Sequence, residues 1–234
     1  MLWPPAYTIK KHARAKHVKL KASLHHGLEV VVPTRFNLKN IPEILEKHKS
    51  WIQKKLADFI EKPTTLPDEI KLTAINQTWR ILYIQSTNKK AKLFVRPEQE
   101  LVLLGNIEDK IFCKKLLTQW IRKQAAIYLT TCLQKIAQEM QLTYKKVVVR
   151  GQQSRWGSCS SDKSISLNYK LFFLPAELVR HVVIHELCHT VHLNHSINFW
   201  RMVASFDPQW KEHNRELRQS DRWVPAWLFA QIIA

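Results

Sequence analysis

Residues 178–193 read Leu-Val-Arg-His-Val-Val-Ile-His-Glu-Leu-Cys-His-Thr-Val-His-Leu. Apolar residues at helical spacing make this a helix with a buried face. Pro175 suits its first turn, and the pattern runs to about residue 192. Imidazoles and a carboxylate set into such a face need partners, because an unpaired charge is expensive to bury. His185 and His189 stand four apart, about 40° around the axis and roughly one turn along it, so both rings can reach one cation. Glu186, beside the first, can reach a water on that cation and serve as its general base. Two buried histidines that merely hydrogen-bond are the competing explanation.

A catalytic Zn²⁺ takes three protein ligands and keeps one position open. His192 shares the helical face of His185 but is displaced along the axis, which suits a supporting or surface role. His195, ten residues after His185, reaches the metal only if the helix stops and the chain folds back; Asn194 tolerates the left-handed conformation of such a stop. Glu212 or Glu216 on a later helix is the carboxylate alternative. Of these, His195 is favoured.

The rest of the chain alternates strand and helix patterns, which gives an α+β fold class. Residues 7–34 and 69–104 read as strand groups, with a hairpin turn at His26-Gly27, and 41–60 as one amphipathic helix. Residues 107–142 form a long helical pattern that Asn106 or Asp109 can cap. Strands follow at 144–150 and 163–169. Ser196 and Asp207 can each cap a further helix. The expected organisation is a basic β-rich region over 1–105, then a catalytic domain over 106–234.

Charge is uneven. Residues 1–150 carry 28 basic and 12 acidic side chains, and 151–234 carry 9 and 7. That asymmetry makes nucleic acid a candidate partner of the N-terminal region, against the usual fate of a charge run as a solvated face. Four glycines leave no room for a Gly-rich phosphate loop. No apolar run is long enough to span a membrane, no secretory leader is visible, and the four cysteines form no CxxC pair. The expectation is a soluble cytoplasmic protein with reduced thiols.

Arg155-Trp156-Gly157-Ser158-Cys159, then Ile165-x-Leu167-Asn168, then His185-Glu186-Leu187-Cys188-His189, then Asn194-His195-Ser196-x-x-Phe199-Trp200 resembles the YgjP-like metallopeptidase family, itself similar to SprT-like and WLM proteases. The resemblance implies a zincin-like fold with His185, His189 and His195 on zinc and Glu186 as base, acting on a protein or peptide. Several residues keep open roles. Tyr169 and His213 are candidates to stabilise an oxyanion. Asn168 can pair with the ligand helix or with substrate backbone. Cys159 and Cys188 read as small buried residues, and Phe199 and Trp200 as core packing. The 163–169 strand is expected to offer its edge to an extended substrate. The second reading is a nucleic-acid-binding module, or a protease acting on protein bound to nucleic acid.

Overall fold

The computed structural model describes residues 3–13, 15–23, 27–60, 65–152 and 154–228. They divide into two compact units, residues 1–65 with 226–234, and residues 66–225.

In the first unit, β1 (Tyr7–Lys11), β2 (Lys19–Ser23) and β3 (Gly27–Val32) form a sheet in the order β1-β3-β2. β3 is parallel to β1 and antiparallel to β2. Strand alternation turns Leu28, Val30 and Val32 inward, where they bury against Ile41, Leu45 and Ile52. These last come from α1 (Ile41–Lys47) and α2 (Lys49–Ile60). The single helix expected over 41–60 is therefore two, broken at His48, whose φ of −108° and ψ of 17° leave the helical region. His26 lies outside the described residues. Gly27, with φ of 60°, supplies the left-handed backbone beside it, and Ser23 pairs with Gly27 across the hairpin.

The second unit opens with β4 (Glu69–Leu72), β5 (Gln77–Gln85), β6 (Lys92–Arg96) and β7 (Glu100–Gly105), in the order β4-β5-β7-β6. α3 (Lys110–Glu139) follows, 30 residues long. Asp109 caps it by accepting from the Phe112 N–H, while the Asn106 side chain instead accepts from the Glu108 N–H. Leu117, Ile121, Ala125, Leu129, Leu133 and Ile136 recur every three or four residues and are buried. A second sheet contains β8 (Lys146–Arg150), β9 (Gly157–Cys159) and β10 (Ser164–Asn168), with β10 in the middle. α4 (Ala176–Cys188), α5 (Ile197–Phe206) and α6 (Trp210–Leu217) complete the unit, and α3 packs on both α4 and β8.

The division expected near residue 105 falls inside this unit. The turn after β4 buries Ala74, and the Tyr128 hydroxyl of α3 donates to the Ala74 carbonyl at 3.1 Å. The same turn packs on α4, so the 69–105 sheet shares a core with the helix that carries the histidines. No helix among the described residues is long and apolar enough to cross a membrane.

Candidate active site

α4 is apolar on most of its circumference, with Leu178, Val179, Val182, Val183 and Leu187 buried. His181, His185 and His189 fall at i, i+4 and i+8 and share the remaining face. The helix ends at Cys188, earlier than the apolar pattern suggests. Two N–H groups, of Val191 and His192, turn back onto the Cys188 carbonyl, and the Thr190 hydroxyl donates to the Leu187 carbonyl at 2.8 Å. The left-handed stop expected at Asn194 is absent: among the described non-glycine residues, positive φ occurs at Asn76, Glu98, Gln99, Gln141 and Lys163. Ser196 caps α5 as expected, accepting from the Phe199 N–H.

This reversal brings His195 back to α4. Its Nε2 lies 3.1 Å from Nε2 of His185, and one ring nitrogen of each of His185, His189 and His195 falls within 4.8 Å of the others. Ligands on a tetrahedral Zn²⁺ at about 2.05 Å stand about 3.4 Å apart, so the three rings fit such an ion. Supporting contacts orient them. The His189 Nδ1–H donates to the His192 carbonyl at 2.9 Å, which frees Nε2 as a lone-pair donor. His192 thus contributes its backbone. The His189 ring stacks on Phe199 at 4.5 Å and the His195 ring on Trp200 at 5.6 Å, while Trp200 stacks on Trp210 at 4.3 Å. Phe199 and Trp200 therefore wall the histidines as well as pack α5. Burial and the other two rings hold the His185 imidazole neutral, its pKa lowered to about 3. Glu212 and Glu216 are instead engaged by Arg215 and Arg222.

Glu186 is 5% exposed and lies flat against β9. A Cβ at Gly157 would sit 2.6 Å from its Oε1, so only glycine permits this approach. Burial pushes the carboxyl up to about 8, opposed by the positive charge of Arg155. A cation held by the three histidines would favour the ionised form. A cavity of about 160 Å³ opens beside it, lined by Trp156, Gly157, His181, Asn214 and Leu217 among others.

Two groups have roles that the sequence did not reveal. Asp207, expected to cap a helix, is buried, and its Oδ2 accepts from Nδ1 of His181 at 2.5 Å and of His213 at 2.9 Å. Gln209 holds the N-cap position of α6 instead. His181 thereby presents its other edge to the Glu186 cavity; its position four residues before His185 was the available signal. Asn168 donates from Nδ2 to the carbonyls of Gln152 at 2.8 Å and Arg155 at 3.0 Å, and accepts from the Lys170 N–H. It pins the loop that carries Trp156 and Gly157.

Other residues stand apart from the histidines. Tyr169 packs beneath the Arg122 guanidinium and beside Gly151, and does not line the cavity. His213 is tied to Asp207. Cys188 is buried with its thiol pushed up to about 12, and Cys159 is held up to about 11 by burial and by Glu186. β10 is paired on both sides, so the edges of the sheet are β8 and β9, and β9 is the one beside Glu186.

The metallopeptidase zymogen abylysin of Pyrococcus abyssi is similar over 40% of this chain and 95% of its own, at 22% identity and a TM-score of 0.37. The zymogen jannalysin of Methanocaldococcus jannaschii is similar over 39% and 94%, at 18% identity and a TM-score of 0.36. No curated protein matches. The family model described as YgjP-like, metallopeptidase domain, matches residues 16–220. Because that match runs through both compact units, from just before β2 to just beyond α6, the chain belongs to the YgjP-like metallopeptidase family.

Proposed function

We propose that the protein is a zinc-dependent peptidase in which His185, His189 and His195 hold the ion and Glu186 is the general base. The observation that carries this reading is the convergence of three imidazoles beside a buried carboxyl walled by Gly157. A zinc ion there would polarise the scissile carbonyl and lower the pKa of its water to about 7. Glu186 takes a proton from the attacking water at its carboxylate and delivers it to the departing amine. The open edge of β9, next to Glu186, suits main-chain hydrogen bonds with an extended peptide. Four free cysteines fit a reducing compartment such as the cytoplasm.

Glu186→Gln preserves size and hydrogen-bonding reach while removing basicity. Purified Glu186→Gln should keep about one zinc per chain and lose hydrolysis of a peptide library by at least ~10²-fold. A variant as active as wild type ends this assignment.

A second reading concerns partners. Strand register places Lys10, Lys19 and Lys21 on the outer face of the first sheet, where Glu29 engages Lys10. This basic face supports recruitment to nucleic acid, with the peptidase acting on protein bound there. Duplex binding that weakens with salt, by about −0.9 in log K against log salt per phosphate contact, is expected. Binding indifferent to salt retires it.

A further inference from the structure

We propose that the outer face of the β8–β10–β9 sheet is a subsite for an anionic side chain of the substrate. The inference rests on the peptidase reading and names the class of residue preferred beside the scissile bond.

Strand alternation divides this sheet into two faces. Ile165 and Leu167 point into the core, in register with Val147 and Val149. Lys146, Val148 and Arg150 alternate with those valines and face the other way, as do Ser164 and Ser166, with Ser158 opposite Ser166. A groove of about 410 Å³ lies on this outer face, and Arg155 reaches it from the pinned loop.

Its chemistry is one-signed. Lys146, Arg150 and Arg155 are exposed, and none forms an ion pair among the described residues. Ser158 accepts weakly from the Gln152 amide at 3.5 Å, which leaves its own proton to donate. The buried Ser166 hydroxyl oxygen has no hydrogen-bond partner among the described residues. An orphaned hydroxyl beneath the groove floor is costly, and a small outward shift on binding would let a ligand that accepts hydrogen bonds relieve it. The nearby carboxylate of Asp162 does not fill the need. It is taken by Lys145 at 3.1 Å and by the hydroxyls of Ser160 and Ser164, which hold it below the usual carboxylate range.

Position links the groove to the chemistry. Gly157 faces Glu186, and the next residue, Ser158, faces the groove. An extended peptide along β9 sends successive side chains to opposite faces, so a residue adjacent to the one above Glu186 projects onto the groove face, beside Ser158 and the Arg155 side chain, with Arg150 and Lys146 further across the sheet on β8. Carboxylates and phosphoryl esters share the required chemistry: both accept several hydrogen bonds and carry negative charge.

The test uses full-length Glu186→Gln protein and labelled nonapeptides identical except for one position, occupied by Glu, phosphoserine or Gln. The position is moved along the peptide in a short series. Fluorescence anisotropy should show the Glu or the phosphoserine peptide binding about 10-fold more tightly than the Gln peptide at one position, a gap that narrows with salt. Which of the two is preferred distinguishes carboxylate from phosphoryl recognition. The double variant Arg150→Ala/Arg155→Ala, with a thermal melt as fold control, should erase the gap. Equal affinities at every position, or a double variant that keeps the gap, overturn the subsite. Cleavage of the Gln peptide by wild type is read separately. Its absence counts against the peptidase reading, while a charge-dependent gap in binding still upholds the anion site.

Discussion

Gly157→Ala isolates the placement of Glu186, the proposed general base, from everything else in the site. The added Cβ would lie 2.6 Å from Oε1, 2.7 Å from Cγ and 2.8 Å from Cδ of Glu186. Ordinary contact begins near 3.4 Å, so the carboxyl must recede by about 0.8 Å. Crowding at Cγ as well as at the tip means that rotating the carboxyl alone brings no relief; the side chain has to move as a whole toward the cavity. A shift of about 1 Å in a reacting group costs about 10²-fold in rate. Gly157 has no left-handed φ, so alanine fits the backbone and the fold should survive. The assay pairs kcat/KM on a peptide with zinc content and Tm. Expected are a roughly 10²-fold loss in kcat/KM and unchanged zinc. A Gly157→Ala protein with intact zinc and activity within about threefold of wild type refutes the claim that Gly157 sets the position of Glu186.

Removing the third histidine tests the metal site directly: His195→Ala should lose tight zinc binding, whereas Glu212→Ala and Glu216→Ala should retain it by elemental analysis; the reverse pattern reassigns the ligand. Asp207→Ala leaves the buried Nδ1–H of His181 and the half-buried Nδ1–H of His213 without their acceptor and should cost about 1–3 kcal/mol for the buried one, read by urea unfolding. An unchanged midpoint shows that the Asp207 contacts contribute nothing. Asn168→Ala cuts the two hydrogen bonds that hold the Gln152 and Arg155 carbonyls, so it should lower activity more than it lowers zinc content. Equal loss of both contradicts that division. Cys159 and Cys188, with pKa raised to about 11 and about 12, should alkylate slowly at pH 7.5 and faster as the pH climbs toward those values. Rapid modification of either at neutral pH contradicts the burial that raises them.

What the sequence made legible was local. Helix geometry alone anticipates the i, i+4 pair, and Ser196 marks the next helix start; the return of His195 needed a chain reversal that the sequence tied to Asn194 and the structure makes without a left-handed residue there. The long helix carried its period in plain view, while the choice between Asn106 and Asp109 as its cap was made only by the structure. Less visible was β9, three residues inside a polar stretch, too short for any alternation to register. Its identity as an edge strand follows from pairing order, which periodicity does not encode. Asp207 looked like a helix cap because Asp before Pro usually is one; its real partners lie 26 residues back and 6 ahead, joined only by tertiary packing. The misplaced division at residue 105 has the same origin. A composition shift is visible along the chain, but the burial of Ala74 against α3 is not.

The spacing of the parts also divides the site between two kinds of contact. His185 to His195 spans eleven residues, one helix end and one turn, so bringing the three imidazoles together closes a short loop with little loss of chain entropy. Glu186 rests instead against Gly157 of β9, held there by pairing with β10, in segments 18 to 29 residues upstream. A zinc ion at the histidines would be gripped by one helix end and its turn, whereas the carboxyl beside it depends on a strand pair placed by tertiary packing. The two would therefore fail separately: a substitution that loosens the β9–β10 pair would displace the carboxyl and leave the grip on the ion intact.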